Sequence, residues 1–243
     1  MITIISETER PLTFTEIIEM TGLPKSSAFR YLITMVNRGY FTIDPVDNTY
    51  QIGPGFPLGS NDLTEKMKDL ATPIMQKLSV KLGETVNLGV LAGLTIKYIK
   101  VIESPRHIRA SSRIGSRDSL HCTALGKVIL SKLESRELGS ILKGIEFTQE
   151  TSRTILTISD LKKELKKTKI RGYAIDDLEN DSDCRCVAVN IPISGQNLAL
   201  SVSAPSSRFP LNQVSHVAGN LVETVNELVQ AVSIRDSLKG LIR

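Results

Sequence analysis

The chain has 243 residues, of which 41% are apolar and 23% charged, enough for one large domain or two ordinary ones with a dry core. Its 30 Lys plus Arg against 26 Asp plus Glu give a net charge of +4, which excludes a protein that grips nucleic acid by composition alone, so any DNA contact must be local. No apolar run approaches the ~20 residues that span a bilayer, and Met1-Ile2-Thr3-Ile4-Ile5-Ser6-Glu7 lacks a signal peptide's basic region and long apolar stretch, which predicts a cytoplasmic chain with no membrane partner.

Between Phe14 and Gly39 apolar residues recur at helical spacing in two blocks. The first is Thr15-Glu16-Ile17-Ile18-Glu19-Met20, and the second holds Ala28, Tyr31, Leu32, Met35 and Val36. Thr21-Gly22-Leu23-Pro24 between them predicts helix, tight turn, helix, with Gly22 left-handed at the first helix end and Pro24 in the first turn of the second. The second helix opens with Lys25, Ser26, Ser27 and Arg30. Short donors and cations at a positive helix terminus suit phosphates and base edges. Tyr40-Phe41-Thr42-Ile43 and Thr49-Tyr50-Gln51-Ile52 around Asp44-Pro45-Val46-Asp47-Asn48 read as a hairpin, placed where a winged helix-turn-helix has its wing. Residues 1–59 carry four cations, Arg10, Lys25, Arg30 and Arg38, against six carboxylates, Glu7, Glu9, Glu16, Glu19, Asp44 and Asp47. A DNA reader with that balance must gather its cations on one face, and three of the four lie on or just after the second helix.

Gly53-Pro54-Gly55-Phe56-Pro57-Leu58-Gly59-Ser60 has linker composition and sets a boundary near residue 59. Asn61 or Asp62 can cap the next helix, whose Leu63, Met67, Leu70, Ile74 and Leu78 form one apolar stripe, with a kink expected at Pro73. From Thr85 the period switches to two, predicting neighbouring strands around Val86, Leu88 and Val90 and around Ile96 to Ile102. Helices follow at Thr123 to about Lys132, Glu134 to Leu142 and Ser159 to Lys169, the last with lysines at 162, 163, 166, 167 and 169 that read as a solvated face. Strands return at Tyr173 to Asp176, Cys186 to Ile193 and Leu198 to Ser203. A last amphipathic helix runs from Leu211 to about Val232 on Val214, Val217, Leu221, Val225 and Leu228. Mixed strands and helices in this order predict an α+β fold.

The informative local chemistry lies at His121 to Lys127. Thr123 can cap a helix there and leave the N–H groups of Ala124, Leu125 and Gly126 free for an anion. Ser201 and Ser203 are two apart on one strand and share a face, Asp176 can accept a hydrogen bond from a ligand hydroxyl, and Cys186 is a small polarizable wall. Cys122, Cys184 and Cys186 are odd in number with a single C-x-C pair, so neither a disulfide scaffold nor a four-ligand zinc site is expected, and no cofactor. The three histidines sit in no nucleophile motif, and no G-x-S-x-G, P-loop or H-E-x-x-H pattern occurs.

Gly22-Leu23-Pro24-Lys25-Ser26-Ser27-Ala28-Phe29-Arg30-Tyr31-Leu32, continued by Arg38-Gly39-Tyr40 and Tyr50-Gln51-Ile52-Gly53, resembles the winged helix-turn-helix of the IclR family of bacterial transcriptional regulators. The runs from Gly83 to Leu88, His121 to Lys127, Arg171 to Asp177, Arg185 to Ala188 and Ser201 to Pro205 resemble its effector-domain motifs. The resemblance implies a winged helix-turn-helix DNA-binding domain over 1–59, a linker helix over 60–82 that helps pair protomers, and a GAF-like effector-binding domain over 83–243. It also implies double-stranded operator DNA as partner, met by Lys25, Ser26, Ser27, Arg30, Tyr31 and Arg38, in a homodimer or dimer of dimers. Effector contacts fall at positions matching Ala124, Leu125, Asp176, Cys186, Ser201 and Ser203, with Asp118 at a further pocket-lining position and His121 and Thr123 beside them. Members usually carry most of a further helix ahead of the segment near Pro11; here Met1 to Thr8 stands there, which implies a short first helix or a truncated start. Asp118 adds negative charge near the anion site, so a plain carboxylate effector requires Arg109, Arg113 or Arg117 to balance it. The expected function is a repressor whose operator binding is controlled by a small polar or organic-acid metabolite, not an enzyme. The rival readings are a sensor module without DNA binding and a hydrolase using Cys122 or Cys186 with His121.

Overall fold

The computed structural model describes residues 1, 4, 5, 8, 10–44, 47–53, 61–193 and 196–241, with the backbone alone for 61–66 and 234–241. The chain forms two units, Met1–Glu65 and Lys66–Arg243.

In the first unit, β1 (Leu12–Thr13) leads into α1 (Phe14–Thr21), α2 (Lys25–Asn37), β2 (Phe41–Ile43) and β3 (Thr49–Ile52). Thr13 starts α1 with a capping box: its hydroxyl accepts from the Glu16 N–H, and the Glu16 carboxylate accepts from the Thr13 N–H at 2.8 Å. Gly22 ends α1 at φ 66°, as the turn requires, and gives its N–H to the Ile18 carbonyl. Pro24 stands one position ahead of the expected place: it is the cap, its carbonyl accepts from Ser27 and Ala28, and α2 begins at Lys25. The unexpected strand β1 pairs with β3 through Leu12 opposite Tyr50, giving the sheet order β1-β3-β2. Leu12, Ile17, Leu32, Phe41 and Tyr50 form the core, joined by the helical Ile5. The expected first helix otherwise falls largely outside the described residues. So do Pro45 and Val46 of the wing turn and the Gly/Pro run 54–60.

The second unit carries most of α3 (Asn61–Leu82), which continues through Pro73. Then follow β4 (Thr85–Ala92), β5 (Thr95–Ile102), β6 (Arg117–Ser119), α4 (Ala124–Leu130), α5 (Ser135–Gly144), α6 (Ile158–Arg171), β7 (Ala174–Asp177), β8 (Cys184–Ile191), β9 (Leu198–Pro205) and α7 (Val214–Leu241), the last entered by a 3-10 turn at Leu211–Gln213. The strands make one antiparallel sheet in the order β6-β5-β4-β9-β8-β7. One face, with Val86, Leu88, Val187, Val189, Leu200 and Val202, packs on Met67, Ile74 and Leu78 of α3 and on Val214, Leu221, Val225 and Leu228 of α7. The other face carries Ala174, Ala188 and Ala199 against Leu125, Val128 and Ile129 of α4 and Leu161 and Leu165 of α6. The fold is α+β, and both faces of the sheet are covered.

Two glycines bring α4 onto the sheet. A Cβ at Gly89 in β4 would lie 2.9 Å from Leu125 Cδ1, and one at Gly126 would lie 2.3 Å from the Leu120 carbonyl oxygen. Without side chains at both positions, the start of α4 settles directly over β4.

Candidate functional site

In the first unit, alternate turns of α2 divide cleanly. Ala28 and Leu32 are buried in the core, while Lys25, Ser26, Arg30 and Tyr31 are exposed, Ser27 is half-buried, and Arg38 is exposed just past the helix end. The charge balance that argued against DNA is resolved locally. Arg10 is bound to Glu16 at 2.6 Å, whereas Lys25, Arg30 and Arg38 have no carboxylate partner among the described residues. The three cations that remain unpaired are those on or next to α2. Phe29 is half exposed and packs edge-on against Phe14, which fixes the angle between α1 and α2.

In the second unit, the register sets the polar residues in rows on the α4 side of the sheet. Thr85 stands opposite Ser203, Ser203 opposite Cys186, and Cys186 opposite Asp176; the next row runs from Asn87 to Ser201. Asp176, Cys186, Ser201 and Ser203 are thus brought together as expected. Cys184 and Cys186 also share a face, with their sulfurs 3.8 Å apart. Their neighbour Asn87 was not anticipated: fully buried, it donates from Nδ2 to Ser203 Oγ at 3.0 Å and to Ser201 Oγ at 3.4 Å. The signal was available, since the alternation in Thr85-Val86-Asn87-Leu88 sets polar residues on the face opposite the apolar ones.

The α4 terminus offers less than expected. Thr123 caps it, but its hydroxyl takes the Gly126 N–H at 3.1 Å while donating to the Ser119 carbonyl, so Gly126 is not free. Ala124 and Leu125 retain N–H groups without a partner among the described residues, at the start of a helix of seven residues. Among the described residues none of Arg109, Arg113 and Arg117 is ion-paired to Asp118. Arg109 binds Glu103, and Arg117 binds the Ala92 carbonyl and Thr95. Asp118 is instead held by the Tyr98 hydroxyl at 2.7 Å, and burial together with the Asp118 charge pushes the Tyr98 pKa well up.

Behind Asp176 lies a buried charged cluster that pattern reading missed. Lys127 is fully buried and ion-paired to Glu179. Asp176 Oδ1 accepts the N–H groups of Glu179 at 2.8 Å and Asn180 at 3.3 Å. Burial lifts the Asp176 carboxyl to about 7, and Lys127 pulls against that rise; Glu179 is raised for the same reason. A lone lysine inside the apolar run Ala124-Leu125-Gly126-Lys127-Val128-Ile129-Leu130 was the clue. Asp177 binds Arg185 and Arg153, so it anchors the strand end.

Nucleophile chemistry has little support here. The Cys122 thiol donates to Asn180 Oδ1 at 3.2 Å, and burial pushes its pKa up to about 12. His121 Nε2 lies 3.0 Å from the Thr148 carbonyl, and burial lowers its pKa. Cys186 is raised by its contact with Cys184 and by burial. Among the described residues no cysteine sulfur is hydrogen-bonded to a histidine or a carboxylate. The α6 lysines at 162, 163, 166, 167 and 169 are all exposed, as a solvated face should be.

Comparison with known proteins decides the family. Residues 1–45 match the IclR helix-turn-helix domain, and residues 62–234 match the C-terminal domain of the bacterial transcriptional regulator IclR. The chain belongs to the IclR family. The HTH-type transcriptional regulator XynR of Escherichia coli is 35% identical over 213 residues, which is 84% of this chain and 83% of XynR. The acetate operon repressor of Salmonella typhimurium is 30% identical over 233 residues, 93% of this chain and 85% of the repressor. The crystal structure of the Thermotoga maritima IclR superposes with a TM-score of 0.66 at 27% identity, covering 95% of this chain and 94% of that one. This IclR-family chain is therefore a transcriptional regulator with an N-terminal helix-turn-helix DNA-binding domain and a C-terminal effector-binding domain. Among its described residues no helix is long and apolar enough to cross a membrane.

Proposed function

We propose that the chain is a cytoplasmic repressor, working as a dimer or dimer of dimers, that leaves its operator when a small polar or organic-acid metabolite binds the second unit. The winged domain is assigned to 1–59, the linker helix to 60–82 and the effector domain to 83–243. Lys25, Ser26, Ser27, Arg30 and Tyr31 on α2 enter the major groove, and Arg38 holds a phosphate. The observation that carries this reading is the exposed face of α2, which bears cations without a carboxylate partner among the described residues.

The effector is assigned to Asp118, Ala124, Leu125, Asp176, Cys186, Ser201 and Ser203, with His121 and Thr123 holding the α4 entry. Catalysis is not part of the reading, because the Cys122 thiol faces Asn180 and not the His121 imidazole. The repressor assignment is supported by the relative named as an operon repressor. Release requires that the effector bind the DNA-free arrangement of protomers more tightly than the DNA-bound one.

The test separates the two units. Asp176→Ala and Ser203→Ala should each abolish effector-induced release from operator duplex in a gel-shift titration and retain DNA binding. Release by both variants at the wild-type effector concentration would contradict the site assignment.

A further inference from the structure

Three buried side-chain atoms have no hydrogen-bond partner among the described residues: Asn87 Oδ1, His121 Nδ1 and Glu179 Oε2. All three are acceptors. The amide and carboxylate oxygens accept by their chemistry. The Thr148 carbonyl beside His121 Nε2 only accepts, so Nε2 carries the proton, and a buried neutral ring leaves a lone pair on Nδ1.

Asn87 is the one of the three that stands in the rows of the assigned effector contacts. Its Nδ2 is tied to Ser201 and Ser203, which fixes where Oδ1 is held. Reversing the amide would strand two N–H donors in place of one oxygen, so the hydrogen-bond count favours the orientation described. Asp176 lies in the neighbouring row, opposite Cys186, and the buried cation there, Lys127, is already engaged by Glu179.

We infer that the effector is a polyhydroxylated small molecule, a polyol or sugar-type compound, that donates one hydroxyl to Asn87 Oδ1 and another to the Asp176 carboxylate. The inference rests on the effector-site reading above and adds Asn87 to it. A hydroxyl fits twice over, since it donates to the orphaned oxygen and accepts from Ser201 or Ser203. A hydroxyl-free carboxylate leaves Asn87 Oδ1 unpaired and brings a negative charge into a region whose buried cation, Lys127, is already engaged by Glu179.

The test is calorimetric titration of the full chain with ribitol, gluconate and hexanoate. Saturable binding of ribitol or gluconate, none of hexanoate, and affinity about tenfold weaker in an Asn87→Leu chain that still unfolds cooperatively is the expected result. Asn87→Ser, which keeps an uncharged acceptor oxygen in this row, should lose less affinity than the leucine variant and serves if the leucine variant does not fold. Hexanoate binding as tightly as gluconate, an intact wild type that binds neither hydroxylated probe, or Asn87→Leu binding like wild type would each overturn the inference. Ser203→Ala and Asp176→Ala separate the two failures. If they weaken probe binding while Asn87→Leu does not, the effector site stands and the role of Asn87 falls; if none of the three matters, both fall.

Discussion

Lys127 and Glu179 form an ion pair in which the lysine is fully buried, and the lysine charge favours ionisation of the Asp176 carboxyl while the Glu179 charge opposes it. Removing the ammonium would leave Glu179 and Asp176 without compensation in a dry interior. Lys127→Met is expected to cost about 3–5 kcal/mol, seen as an earlier urea transition of the second unit. Lys127→Met with Glu179→Leu should recover much of that loss, because the unpaired Glu179 charge is gone and Asp176 can keep its proton. A single variant as stable as wild type would show that water reaches the pair.

The same cluster sets a pH dependence. Burial raises Asp176 from 3.8 to about 7, so the folded chain holds a proton that the unfolded chain releases. Stability from this group is present below the unfolded value and falls as pH rises through about 7. Glu179 shifts in the same direction, while His121, lowered by burial, acts oppositely under acid. The difference between wild type and Asp176→Asn isolates the one group. Relative to the variant, wild type should lose stability from about pH 4 to about pH 7 in thermal melts and level off above that; a difference constant over this range would place the folded Asp176 pKa near its unfolded value.

Much of the fold was legible because long periodic segments announce themselves. The α3 stripe and the β4, β8 and β9 alternations were read within a few residues of their observed bounds, whereas α7 runs on to Leu241, past the expected end near Val232. The misses are short or non-local. β1 and β6 have two and three residues, and each exists through its pairing, Leu12 with Tyr50 and Asp118 with Ile96, which no local pattern encodes. At the site, Asp176, Cys186, Ser201 and Ser203 were legible as motif residues. Tyr98 as the partner of Asp118 was not, because the two meet only once β5 and β6 pair.

Gly126 tests the seating of α4. A methyl group there would meet backbone atoms of Leu120 at 2.3–2.7 Å, and backbone cannot swing aside as a side-chain tip can. Gly126→Ala should destabilise the second unit by about 1–3 kcal/mol or more, and lower effector affinity through displaced Ala124 and Leu125 N–H groups. Wild-type melting and affinity together would show that the helix shifts freely.

Arg30 is exposed on α2 with no carboxylate partner among the described residues. Arg30→Ala should weaken operator binding by about tenfold at unchanged melting temperature, with a salt slope flatter by about one unit if the contact is to phosphate. Unchanged affinity would remove α2 from the recognition role.

If this chain reads operator DNA under control of the second unit, specific binding to its operator must be measurable. The direct measurement is fluorescence anisotropy of labelled duplex from its own upstream region, against a scrambled duplex, at two salt concentrations. The expected result is saturable, sequence-specific binding that weakens steeply with salt, by ~0.9 counterion per phosphate contact. Equal binding of both duplexes, or none of either, by a chain whose two units melt cooperatively would contradict it and leave the second unit as a sensor without an operator.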